Sequence, residues 1–172
     1  VRCLLETANT LMSEKKFTTI MGIDPGLAVT GYGVLRSDGR KHQLIDAHYL
    51  KTNAKQSHFD RLHYIFIEIN ALLERYQPTE IAIENQFVSQ NVKSAISVAE
   101  ARTVAVLAAS INKINIFSYA PTEIKESVTG YGRADKQQVY DMVAMLVDLK
   151  STILKYDTIL KYDTTDAIAI AL

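Results

Sequence analysis

Apolar and polar positions along this chain follow first a two-residue and then a helical period, and the switches between them predict its elements. An apolar run with Thr and Ile over residues 17–24 stops at Pro25 and Gly26, which predicts a strand ending in a turn. Residues 31–35 predict a second strand, closed by the hairpin signal Ser37, Asp38, Gly39. Residues 42–50 predict a third, so the chain opens as an antiparallel meander. Ser57 opens a helix, with Asp60 at the capping-box spacing. Leu62, Ile65, Phe66, Ile69, Leu72 and Leu73 then give that helix one apolar face. Residues 79–84, after Pro78, predict a short strand. Residues 92–111 are rich in Ala and Val and apolar on more than one face, which predicts a buried helix. A fifth strand is expected over 114–119. A short helix follows from Pro121 and Thr122 and ends at Gly130, Tyr131 and Gly132. Further helices are expected over 134–149 and from Asp163 to the last residue. The fold class is α/β, a mixed five-stranded sheet flanked by helices.

Two stretches stand outside this pattern. The hexapeptide ILKYDT at 153–158 is repeated at once at 159–164, and fits no repeat architecture. It reads as a small duplication that lengthens a loop. Residues 1–16 read as an upstream or non-native extension, with Met12 as the start. That leaves 17–172 as a single domain, whose final helix is shorter than expected. Composition adds exclusions more than assignments. Apolar residues make up 48% and charged residues 22%, an ordinary globular composition. The lone Cys3 excludes an internal disulfide and suits a reducing, cytoplasmic compartment. No uninterrupted apolar run reaches the ~18 residues of a membrane span, which excludes such a helix by this reading. The net charge is zero, so nothing announces a nucleic-acid partner, although acidic groups in a metal site can offset a basic groove.

The candidate chemistry lies in carboxylates at element ends. Asp24 stands where the first strand runs out, and Gly26, Gly31 and Gly33 after it leave room for a backbone or phosphate to approach. Alone it is equally a turn residue, and phosphate-binding kinases and actin-like ATPases also use a strand-end Asp followed by glycines. Glu84 ends another short strand, or simply meets solvent there. Asp163 and Asp166, three residues apart, share the first turn of the last helix, where Asp163 also suits an N-cap. Asp157, in the duplicated copy, is a rival. If these elements meet, the carboxylates raise one another's pKa unless cations neutralise them. Oxygen-only donors suit Mg²⁺ or Mn²⁺, and no His/Cys cluster competes; His42, His48, His58 and His63 form no ligand spacing. Two such ions can activate a water and stabilise the leaving oxygen in phosphodiester hydrolysis.

The order GIDPG…TGYGV, AIE with Phe87 three residues on, YAP…K…V.GYG.A.K and DTTDA resembles the RuvC family of Holliday junction resolvases, over nearly the whole chain from Met21. The resemblance implies a ribonuclease-H-like fold and a homodimer joined through the helix at 92–111. The implied activity is a metal-dependent endonuclease that nicks four-way junction DNA symmetrically in recombination and repair, beside the RuvA–RuvB branch-migration complex. It implies Asp24, Glu84, Asp163 and Asp166 as catalytic ligands of about two Mg²⁺ ions per site, with Mn²⁺ able to substitute. It implies Lys125 and Lys136 as DNA contacts and Phe87 as an aromatic that stacks at the junction centre. Arg102, Arg133 and Asn91 are further DNA-contact candidates. From the residues alone, the lysines are equally solvated charges among Glu123, Glu126 and Asp135, and Phe87 is equally core. Two other functions are weighed: a related nuclease acting on structured RNA of the pre-ribosomal type, and a junction-binding protein whose altered C-terminal segment no longer completes the metal site.

Overall fold

The computed structural model describes residues 17–85, 92–147 and 162–172, with the side chains of residues 162 and 163 left aside. Strands β1 (Thr18–Asp24), β2 (Val29–Ser37) and β3 (His42–Lys51) form the expected meander, each pair antiparallel. Helix α1 (His58–Tyr76) leads to β4 (Glu80–Glu84), α2 (Val92–Ile111) to β5 (Asn115–Tyr119). Then come α3 (Pro121–Thr129), α4 (Lys136–Leu146) and α5 (Tyr162–Ala171). The sheet order is β3-β2-β1-β4-β5, with β4 parallel to both β1 and β5. Ser57 caps α1 as its spacing predicts: its hydroxyl accepts from Asp60 N at 3.1 Å and donates to the Asp60 carboxylate at 2.7 Å.

Each sheet face buries its own core. On one face Met21, Ile23, Val34, Ile81 and Ile83 pack under α1 and α2. On the other, Leu35, Leu44 and Ala82 pack under α3, α4 and α5, whose Val139, Val143 and Ile168 are buried. The result is a three-layer α/β/α arrangement. Helix α5 lies so close to the sheet that only glycine fits beneath it. A Cβ on Gly22 would stand 2.1 Å from Ala167 O, and one on Gly33 3.0 Å from Ile168 Cα. Gly33 therefore makes room for a backbone, that of a helix of the same chain, which is one of the two approaches expected of it.

A carboxylate ties the other side of the fold. Asp46 on β3 accepts from the Tyr32 hydroxyl at 3.0 Å and from the Tyr76 hydroxyl at the end of α1. Burial, then the Asp46 charge, pushes the Tyr32 phenol well above its ordinary value, so it stays a neutral donor.

Three expectations change. Helix α2 is not buried all round: only Ala101, Ala105, Ala108 and Ala109 go under, while Val92, Ile96, Leu107 and Ile111 are more than half exposed. By length and composition α2 is also apolar enough to span a membrane, although it contains no uninterrupted apolar run of that length. Its Glu100 and Arg102 make hydrogen bonds to His58 and Ser118 on neighbouring elements, as in a globular domain. Helix α4 starts at Lys136 and not Ala134, because Asp135 is its N-cap, accepting from Gln138 N while Gln138 Oε1 accepts from Asp135 N. It also ends earlier than the expected Leu149, at Leu146, with Val147 as its C-cap. Helix α5 begins at Tyr162, which places Asp163 inside its first turn and not at the cap.

Candidate active site

Asp24 and Glu84 end adjacent parallel strands. The β1–β4 register pairs Ile23 with Ile83, so the next residue on each strand, Asp24 and Glu84, leaves the sheet at the same edge. Side chains alternate along a strand. Asp24 therefore shares its face with Gly22, and Glu84 with Ala82, the face that carries α5. Neither residue is on a free end. Asp24 is still in register with Gly31 on β2, and Glu84 with Tyr119 on β5, where Asn85 N continues the ladder to Tyr119 O at 2.8 Å. The turn after Asp24 is pinned by the buried Thr30, whose hydroxyl donates to Gly26 O at 2.7 Å.

Helix α5 brings the third carboxylate. Its small residues Ala167 and Ala171 sit on Gly22, which seats Asp166 beside the strand ends. Asp24, Glu84 and Asp166 line one cleft of about 310 Å³, together with Lys125 from α3 and Lys136 from α4. Its apolar wall is Pro121, Ile124, Val139, Ala169 and Ile170. Lys136 Nζ lies 3.3 Å from Asp166 Oδ2, the lysine side chain 66% and the aspartate 30% exposed. A pair this open to water is weak, and a stronger cation can displace it.

Five of the residues expected from sequence thus meet in one cleft: Asp24, Glu84, Asp166, Lys125 and Lys136. Asp163 lies on the same helix, and its side chain is outside the described residues, as are Phe87, Asn91 and Asp157. Arg133 is exposed in the loop between α3 and α4. Arg102 is not part of the cleft lining; it reaches from α2 to β5 and donates to Ser118 Oγ at 2.8 Å. Sequence reasoning missed the Lys136–Asp166 pair, since 30 residues separate two groups that no periodicity relates. It also missed the apolar wall, which reads as ordinary core.

Among the described residues no three Asp, Glu, His or Cys side chains converge closely enough to hold a metal ion. The donor chemistry of the cleft nevertheless suits a hard divalent cation: its lining offers carboxylate oxygens and neither imidazole nor thiolate.

A sheet of this order, with acidic side chains at the ends of two neighbouring parallel strands and on a helix laid over them, is that of a ribonuclease-H-like nuclease. Residues 20–172 match the family model described as crossover junction endodeoxyribonuclease RuvC. The chain is 43% identical over 153 residues to that enzyme from Ruminiclostridium cellulolyticum and 41% identical to that from Alkaliphilus metalliredigens, covering 89% of this chain in both, and 89% and 90% of the relatives. The structure of T. thermophilus RuvC in complex with a Holliday junction substrate superposes with a TM-score of 0.81 at 28% identity, covering 90% of each chain. The yeast mitochondrial resolvase Ydc2 shares the fold, at a TM-score of 0.62 and 18% identity. This chain belongs to the RuvC family of Holliday junction resolvases, metal-dependent crossover junction endodeoxyribonucleases.

Proposed function

We propose that this cleft hydrolyses one phosphodiester in each of two opposed strands of a four-way DNA junction, with Asp24, Glu84, Asp163 and Asp166 as its metal ligands. The observation that carries this reading is the single cleft lined by three of those carboxylates and two lysines. Bound Mg²⁺, with Mn²⁺ as a substitute and about two ions per site, would activate the attacking water and stabilise the leaving oxygen. The chain's own contribution is positional. The ladders on both sides of Asp24 and Glu84 fix two ligands before anything binds, so little reorganisation is needed at reaction. Lys125 and Lys136 supply positive charge at the same cleft, which balances the carboxylates and holds the strand's phosphates. Residues 17–172 act as one nuclease domain.

Two copies are needed for paired nicks. The exposed Val92, Ile96, Leu107 and Ile111 of α2 support a homodimer through that helix, because apolar side chains of this size gain most by being covered. Phe87 stacks at the junction centre, and Arg133 adds a DNA contact beside Lys136. Arg102, held by Ser118, serves α2–β5 packing more directly than DNA. The family relationship supports work beside RuvA–RuvB in the cytoplasm.

The test is cleavage of a mobile four-way junction with Mg²⁺, compared with linear duplex and structured RNA. Paired nicks in the junction alone are expected. Cutting of structured RNA in preference, or tight junction binding without any cutting, would replace this reading with one of the two others. Binding should also weaken with salt despite the neutral net charge. On duplex arms each phosphate neutralised contributes ~0.9 to the slope of log affinity against log salt. Lys125→Met should lower that slope by about one, and an affinity unchanged between low and physiological salt would remove the lysines from the interface.

A further inference from the structure

Tyr131 has no part in the site described above. The residue is 57% exposed, yet its backbone is fixed. Tyr131 N donates to Thr129 Oγ1 at 3.1 Å, and Tyr131 O accepts from Ala134 N at 3.0 Å. The Thr129 hydroxyl is itself anchored on Lys125 O at 2.7 Å. Gly130 supplies the left-handed turn, with φ of 72°. Gly132 packs the loop on the first turn of α3, where a Cβ would stand 3.2 Å from Thr122 O. Thr122 adjoins Pro121 of the cleft wall, and Ala134 at the loop's far end is buried in the core. The loop is therefore rigid, it runs from the helix of Lys125 to the helix of Lys136, and it holds a large aromatic ring in solvent.

Such a ring does nothing for the loop's own shape, which main-chain bonds and two glycines define. What it offers is a flat apolar face on the loop that joins the helices of the two cleft lysines, and that combination suits a nucleobase. Stacking on an aromatic ring tolerates any base and is typically worth ~1–3 kcal/mol, about 5- to 150-fold in affinity. We propose that Tyr131 stacks on the base of a nucleotide next to the scissile phosphate and so holds the strand in register over the cleft. The inference rests on the nuclease reading of that cleft. It adds a contact distinct from Phe87, one that acts at each cut strand and not at the junction centre.

The test uses the full chain and a synthetic four-way junction whose cut bonds have first been mapped with the unaltered protein. 2-Aminopurine replaces single bases one or two nucleotides either side of the cut bond, and fluorescence is read without divalent metal. The unaltered protein and Tyr131→Phe should quench one of these probes by stacking. Tyr131→Ala should leave every probe unquenched, bind the junction about tenfold more weakly, and keep the same salt slope and melting temperature. Equal quenching and affinity for Tyr131→Ala, with junction cutting intact in the unaltered protein, would overturn this proposal and leave the nuclease reading standing. A melting temperature lowered by several degrees in Tyr131→Ala would overturn it too, since the ring would then be structural. If the unaltered protein neither binds nor cuts the junction, both readings fall together.

Discussion

Asp24→Asn is expected to reduce single-turnover nicking of a four-way junction by at least about a thousandfold, while junction affinity stays the same or rises. The substitution keeps shape and removes one charge. Asp24 is held in register with Gly31 on β2, and its neighbour Ile23 pairs with Ile83 on β4. An isosteric side chain leaves both ladders and the Thr30-pinned turn in place, so the melting temperature should move little. The chemistry is different. Metal assistance is worth several kcal/mol at the transition state, and each 1.36 kcal/mol is tenfold in rate. If Asp24 is a ligand, its place at the meeting of two strands and α5 puts all of that at stake. Removing a negative charge next to a bound phosphate cannot weaken the phosphate's attraction to Lys125 and Lys136. The three measurements are nicking rate, junction affinity and melting temperature. A folded variant that nicks at the unaltered rate would exclude Asp24 as a metal ligand.

The strand ends of this site were legible because their signals are local. Ile81, Ala82 and Ile83 before Glu84, and the apolar run before Asp24, each state that a strand stops at an acid. The meander was legible for the same reason, through Ser37, Asp38 and Gly39. What the sequence concealed depends on which faces meet. In α2, apolar residues surround the helix, so the period does not reveal which side touches the sheet. The structure puts small alanines underneath and larger side chains such as Leu107 outside. The sequence leaves Gly33 open to a backbone or a phosphate and says nothing of Gly22, since only the path of α5 shows what they make room for. His58 has no ligand spacing; it pairs with Glu100 at 2.7 Å, 42 residues away, and joins α1 to α2. The Tyr32–Asp46–Tyr76 cluster likewise joins three elements whose separation in sequence carries no period.

The duplicated hexapeptide yields the second large effect, because it presents two aspartates, Asp157 and Asp163, for one role. Asp163→Asn should cripple nicking and Asp157→Asn should not. Helix α5 begins at Tyr162, so Asp163 shares it with Asp166, while Asp157 precedes its first residue by five positions. Three residues on a helix turn a side chain by about 300° and advance it ~4.5 Å, which keeps Asp163 and Asp166 on neighbouring faces of one turn. Asp157 and Asp166 are nine residues apart, ~13 Å along an axis if helical, against a separation of ~4 Å between two ions that must share ligands. Asp166 is already seated in the cleft by the packing of Ala167 and Ala171 on Gly22, and the proposed ligand three residues before it belongs to the same helix. Asp157 lies outside the described residues. Deleting residues 153–158, one whole copy, leaves Asp163, Asp166 and their spacing untouched, and should preserve most of the nicking rate. Single-turnover rates for Asp163→Asn, Asp157→Asn and the deletion decide the assignment. An inactive Asp157→Asn beside an active Asp163→Asn would transfer the fourth ligand to the first copy, and would require the segment between them to fold back over the strand ends.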